Sequence, residues 1–153
     1  MEHSELLLEV AAKIRLMQEF KGAQVQIVDN IWEASDSAGF PMLAVMDGGD
    51  AAQPIKYEEM MQYNITMAVI QKKMTGTPVD SVVGTEASPG AMKLKERVVA
   101  FLKLKENRIE PFYTVKYMGS PPKNPFDRLV IGGSDVSWKL SRMQYRKKQT
   151  ILN

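Results

Sequence analysis

The sequence predicts an α+β protein in which two amphipathic helices pack against one mostly antiparallel sheet. Three observations support this prediction. Apolar residues recur at helical spacing near the N-terminus and again in mid-chain. In the segments between these two stretches and after the second one, apolar residues alternate with polar ones or run continuously, as in strands. Two strand-like segments also follow one another without an intervening helix, which favours antiparallel pairing. The expected order is α-β-β-β-α-β-β, in a single domain spanning residues 1–153.

The N-terminal segment predicts an amphipathic helix that is capped by Ser4 and ends near Gly22. Its apolar side consists of Leu7, Val10, Ile14 and Met17. A short edge strand is expected at residues 23–28. The polar loop after it, residues 29–39, carries Ile31 and Trp32, which we expect to fold back over the core.

Two antiparallel strands are predicted at residues 40–46 and 63–72. The first is apolar almost throughout, which is typical of a strand covered on both faces. The second alternates, with Tyr63, Ile65, Met67 and Val69 on one face. The polar residues between them, 47–62, are expected to form a long loop.

The second half of the chain begins with another expected long loop, residues 73–89, which is rich in glycine, threonine, serine and proline. A helix should start at Ser88-Pro89 and end near Asn107. Its apolar side consists of Leu94, Val98, Phe101 and Leu102. A strand at residues 112–118, a proline-rich break and a short apolar segment at residues 129–131 lead into the last strand.

The last strand, residues 134–148, is the longest one predicted. Its apolar residues occupy even positions up to Leu140, including Trp138, and odd positions at Met143 and Tyr145. Two explanations are open for this change. A bulge near residue 141 re-aims the strand, or its two ends pack against different parts of the protein.

Residue types limit the chemistry that this chain can perform. It contains no cysteine, which excludes disulfides, thiolate metal sites and cysteine nucleophiles. Its one histidine, His3, lies at the terminus, which disfavours catalysis by histidine and metal sites built from histidines. No apolar run is long enough to span a membrane, and the first residues do not resemble a signal peptide. We therefore expect a protein that is not an enzyme and carries no cofactor.

Two segments nevertheless carry candidate binding residues. Asp47 and Asp50, which flank two glycines, are most simply turn residues, although as loop carboxylates they could hold Mg²⁺ in a small nuclease. The last strand bears five basic residues within ten, namely Lys139, Arg142, Arg146, Lys147 and Lys148. Three interpretations are open for them: a solvated strand end, a contact for an acidic protein partner, or a site for nucleic acid phosphates.

The order of elements resembles that of the tail-terminator proteins of long-tailed bacteriophages, the lambda-like minor tail family and its neck relatives. The resemblance covers most of the chain. It rests on the N-terminal helix, the Phe40-Pro41-Met42-Leu43-Ala44-Val45 strand, the strand from Tyr63 to Lys72, the mid-chain helix and the final strand. The basic C-terminal end has no place in this pattern.

The resemblance implies a structural virion protein that forms a ring, usually a hexamer, after assembly in the cytoplasm of the host bacterium. The ring would cap the tail tube, join it to the head connector and let genomic DNA pass through its bore without sequence-specific binding. It also implies contacts with other subunits through the two long loops. With the basic strand end, the candidate contact residues are Asp47, Asp50, Lys56, Tyr57, Arg142, Tyr145, Arg146 and Lys148. The alternative within the virion is a head-side connector or tail-completion protein.

Overall fold

A computed structural model describes residues 1–73, 78–122 and 127–150. It confirms the predicted fold class: one mixed, mostly antiparallel six-stranded sheet with two main helices packed against it. In chain order the elements are α1 (His3–Ile14), β1 (Val25–Ile27), β2 (Met42–Ile55), β3 (Glu58–Lys72), α2 (Pro78–Val82), α3 (Ala91–Lys103), β4 (Thr114–Tyr117), β5 (Leu129–Ile131) and β6 (Ser134–Thr150).

The two longest strands form the centre of the sheet. The order is β1-β2-β3-β6-β4, and β5 pairs with the beginning of β6. β3 and β6 are paired in continuous antiparallel register from Glu58 opposite Thr150 to Lys72 opposite Val136. The short β1 pairs in parallel with β2, and the remaining pairs are antiparallel. β1 and β2 therefore form one side of the sheet, and β6 and β4 the other.

The change of parity along β6 reflects two separate cores on opposite faces of the sheet. Met143 and Tyr145 belong to the main core, between the sheet and helices α1 and α3. Val136 belongs to a second core on the opposite face, where Trp138 and Leu140 pack against it from partly buried positions. Because the β3–β6 register is continuous, the bulge is the wrong explanation, and the two ends of β6 pack against different parts of the protein.

The first helix is shorter than predicted. It begins at His3 and ends at Ile14, so Ser4 lies inside the helix and Glu2 occupies the N-cap. Met17 is still buried in the main core, although it lies beyond the helix. The Arg15 side chain donates hydrogen bonds to the carbonyl oxygens of Gly22 and Val25, at 3.2 and 3.0 Å, as the chain turns back toward β1. These bonds favour the turn over further helix.

The long loop predicted at residues 47–62 is wrong, because these residues are the outer part of a β-hairpin formed by β2 and β3. Glycines and Pro54 give the segment a low strand propensity. That propensity is overridden because β3 pairs with β6 along its whole length and offers β2 a formed edge. The second predicted loop, 73–89, lies partly outside the described residues, and its described part contains α2.

The two tryptophans do not behave alike. Trp32 was predicted to cover the core, but 69% of it is exposed, so that prediction is wrong. The same prediction is confirmed for its neighbour Ile31, which packs against the second core from a short 3-10 turn at Ile31–Glu33 that directs the tryptophan outward. Trp138 is partly buried against the same core. The predicted proline-rich break after β4 lies partly outside the described residues.

Candidate functional site

The outer half of the β2–β3 hairpin is the most exposed part of the sheet. Residues 42–46 of β2 are buried, whereas residues 47–55 are exposed. The turn consists of Lys56, at a φ of 50°, and Tyr57. Tyr57 is 81% exposed and Ile55 is 43% exposed, so the tip presents apolar surface to solvent. Exposed apolar groups at the end of an extended hairpin are suited to contact with another protein.

A bulge between Asp47 and Asp50 separates the buried and exposed halves of β2. Gly49 has a φ of 89°, and a Cβ atom on Gly48 would lie 2.9 Å from the carbonyl carbon of Asn64. The Asp47 carboxylate accepts a hydrogen bond of 2.8 Å from the Gly49 amide. The turn predicted at Asp47 and Asp50 is therefore wrong, because these residues form a bulge within the continuous strand β2. Asp47 helps to shape that bulge through its bond to the Gly49 amide.

The N-terminus of α1 is fastened to the base of the same hairpin. The His3 ring stacks on the Tyr63 ring with centroids 4.7 Å apart. Its Nε2 atom lies 3.0 Å from the carbonyl oxygen of Asn64 and 3.5 Å from the Asp47 carboxylate. The Lys147 ammonium donates to the Met1 carbonyl oxygen and lies 5.3 Å from the centre of the Tyr63 ring.

Asp47 and Asp50 were also the carboxylates of the alternative metal site. In the structure Asp47 approaches His3, whereas Asp50 lies beyond the bulge, opposite Tyr63. Within residues 1–73, 78–122 and 127–150, no three histidine, aspartate or glutamate side chains are grouped so that they could hold a metal ion. The two carboxylates are thus placed for hairpin structure and surface charge.

The opposite face of the sheet from the helices carries a row of cations. The register places Arg142, Arg146 and Lys148 of β6 on this face, and Lys116 of β4 lies beside them, opposite Gln144. Throughout the described part of the chain, none of these four cations has a carboxylate within ion-pair distance. We call this surface, made of Lys116, Arg142, Gln144, Arg146 and Lys148, the basic face.

A groove of about 510 Å³ opens beside the basic face, which contributes Arg142 and Gln144 to its lining. Its lining residues are Asp47, Gly48, Gln62, Asn64, Thr66, Met118, Arg142 and Gln144. Gln144 is only 4% exposed, and among the described residues neither its Oε1 atom nor the buried Nε atom of Arg146 has a hydrogen-bond partner. Buried polar atoms are normally paired, and an unpaired one costs about 1–3 kcal/mol. Both atoms are buried, so the groups of the basic face that a partner can reach are the exposed cations of Lys116, Arg142 and Lys148.

Seven of the eight predicted contact residues fall into two groups. Asp47, Asp50, Lys56 and Tyr57 lie on the hairpin, and Arg142, Arg146 and Lys148 lie on the basic face. Tyr145 belongs to neither group, because it is 3% exposed in the main core, edge-on to Phe112 at 5.6 Å. Burial raises the pKa of its hydroxyl. This placement removes Tyr145 from the candidate contacts.

Sequence reasoning placed Gln144 on one face of the last strand with Arg142 and Arg146, but it missed Lys116 as part of the basic face. The sequence of β4 alternates, with Thr114 and Lys116 on one face and Val115 and Tyr117 on the other. Only the pairing of β4 with β6 shows that the face with Lys116 is the one that carries Arg142 and Arg146. The sequence carried no signal for the unpaired state of Gln144, because that state depends on which side chains surround it in the sheet.

Charge is distributed unequally between the two sides of the sheet. Residues 29–59, which include β2 and the turn of the hairpin, contain seven acidic residues and one lysine, a net charge of −6. Residues 103–122 and 127–148, which include β4 and most of β6, contain ten basic and four acidic residues, a net charge of +6. Since β1 and β2 lie at one side of the sheet and β6 and β4 at the other, the molecule has an acidic side and a basic side.

Comparison with known proteins adds no relative: no protein-family model matches the chain, and a search of the curated proteins returns no match. Across the described residues, every helix is too short or too polar to cross a membrane.

Proposed function

We propose that this protein is a structural subunit of a bacteriophage tail, a tail terminator that forms a hexameric ring at the end of the tail tube. The observation that carries the proposal is the division of the sheet into an acidic side with an exposed hairpin and a basic side whose cations have no ion pair among the described residues. Two different, complementary surfaces on one chain favour head-to-tail association of identical copies. Such a contact generates a closed ring when the rotation between copies closes.

The resemblance in the order of elements supports the same function, and the fold class it implies agrees with the sheet and helices described above. In this proposal the sides of the sheet join neighbouring subunits. The exposed Ile55 and Tyr57 at the tip remain available for the tube protein or the head connector. The ring acts by shape and self-association, and DNA passes through its bore.

Size-exclusion chromatography with light scattering tests the ring directly. We expect a particle of six chains, either alone or after addition of tail tubes isolated from the phage that encodes the protein. Negative-stain images should then show rings at the ends of tubes. Binding to portal or adaptor rings in place of tube ends would assign the head-side connector role. A protein that stays monomeric with tubes and connector rings both present would refute the proposal.

A further inference from the structure

We infer that the hairpin of one copy docks on the basic face of a second copy. The inference rests on the proposed function and specifies the contact that holds the ring together. Residues 47–62 of the hairpin contain four acidic residues and one lysine, a net charge of −3. The basic face carries four cations without ion pairs among the described residues. Opposite charges on extended surfaces favour association and select the orientation of the partners.

The hairpin carries carboxylates that can pair with the cations of the basic face. Asp50, Glu58 and Glu59 lie in its outer part. Carboxylates form charge-assisted hydrogen bonds with guanidinium and ammonium groups, which are the charged groups that the basic face presents. Asp47 is already engaged by His3 and by the Gly49 amide, so the contact is assigned to the three other carboxylates.

A chain cannot make this contact with itself. Its own β3 lies in the same sheet as β6, with Glu58 opposite Thr150 and Met60 opposite Lys148. The hairpin is therefore a lateral neighbour of the basic residues and cannot fold over their face without breaking the central pairing of the sheet. Only the hairpin of another copy can lie across the face, so the contact is intermolecular.

The contact joins two different surfaces, which makes it heterologous. Each copy offers one hairpin and one basic face, so every copy in a closed ring uses both. Charge reversal on either surface alone places like charges against each other. Reversal on both surfaces restores the opposite signs. This property allows a rescue experiment that a purely structural effect of the substitutions cannot imitate.

The test uses the full-length protein and two double variants, Glu58→Lys/Glu59→Lys and Arg142→Glu/Arg146→Glu. For each variant alone, the protein concentration at which half of the chains are assembled should be at least roughly tenfold higher than for the parent. Equimolar mixing of the two variants should restore rings of alternating copies, as should the combined four-residue variant. Assembly of the parent should also weaken as salt is raised. Glu5→Lys/Glu9→Lys, which reverses two exposed charges on α1, is the matched control and should assemble like the parent.

Each result has a defined meaning once circular dichroism shows that the variants are folded. If the parent and both double variants form rings equally well, the hairpin contact is wrong. It is also wrong if mixing the two variants does not restore ring assembly. In either case the proposed ring itself is not refuted. If the arginine variant still assembles but loses its affinity for a 30-base-pair DNA duplex, the basic face binds nucleic acid, which also overturns the inference. A parent that never assembles refutes the proposed function itself.

Discussion

Replacement of His3 by alanine should loosen the attachment of α1 to the base of the hairpin. The substitution removes a stacked ring contact with Tyr63 and the hydrogen bond of 3.0 Å to the Asn64 carbonyl oxygen. An aromatic pair contributes about 0.5–1.5 kcal/mol and a hydrogen bond about the same. The free energy of unfolding should therefore fall by about 1–3 kcal/mol, and the Tm by roughly 3–10 °C for a chain of this size.

Urea unfolding followed by circular dichroism measures this loss, and two variants serve as comparisons. His3→Phe keeps the stacked ring without the hydrogen bond, so its stability should lie between those of the parent and His3→Ala. Ser4→Ala changes an exposed residue inside the helix and should alter stability by less than about 0.5 kcal/mol. If His3→Ala and Ser4→Ala unfold at the same urea concentration as the parent, the proposed attachment of α1 contributes nothing to stability.

Three further predictions concern the hairpin base, the main core and alkaline pH. Gly48→Ala should destabilise the protein by about 1–3 kcal/mol, because the new Cβ would meet the Asn64 backbone at 2.9 Å; a melting curve equal to that of the parent would contradict this. Leu94→Ala should cost about 2–5 kcal/mol in urea unfolding, since Leu94 is fully buried, while Leu8→Ala at a 60% exposed site should be nearly neutral. Burial raises the pKa of Tyr145, so the unfolded chain releases this proton first and stability should fall as pH rises above about 10. Tyr145→Phe should reduce that fall, and an unchanged pH dependence would argue against the buried, neutral phenol.

The sequence was sufficient for the fold class because periodicity is a local property. The alternation at residues 63–72 and the apolar stripe on α3 each indicate an element without knowledge of its partners. The parity change in β6 was also visible, but the choice between a bulge and two cores required the β3 register and the position of the second core. That information belongs to the pairing of strands and is absent from any single segment.

The hairpin, the part of the basic face that β4 contributes and the burial of Gln144 were beyond sequence reasoning for a related reason. Gly48, Gly49 and Pro54 lower the strand propensity of β2, and only the edge offered by β3 stabilises them in an extended conformation. Gln144 is an ordinary polar residue in the sequence. It becomes part of a candidate site because the sheet buries it to 4% exposure without a partner for its Oε1 atom among the described residues.

The continuous pairing of β3 with β6 has a mechanical consequence. Fifteen consecutive residue pairs join the strands, from Glu58 beside the turn to Lys72 at the second core. At about 3.3 Å per residue the ladder is roughly 45 Å long. Because the ladder is continuous, the exposed tip at Tyr57 and the second core at Val136 are joined by one uninterrupted run of strand pairs. A load applied by a partner at Tyr57 is therefore carried along the same two strands that end at Lys72 and Val136.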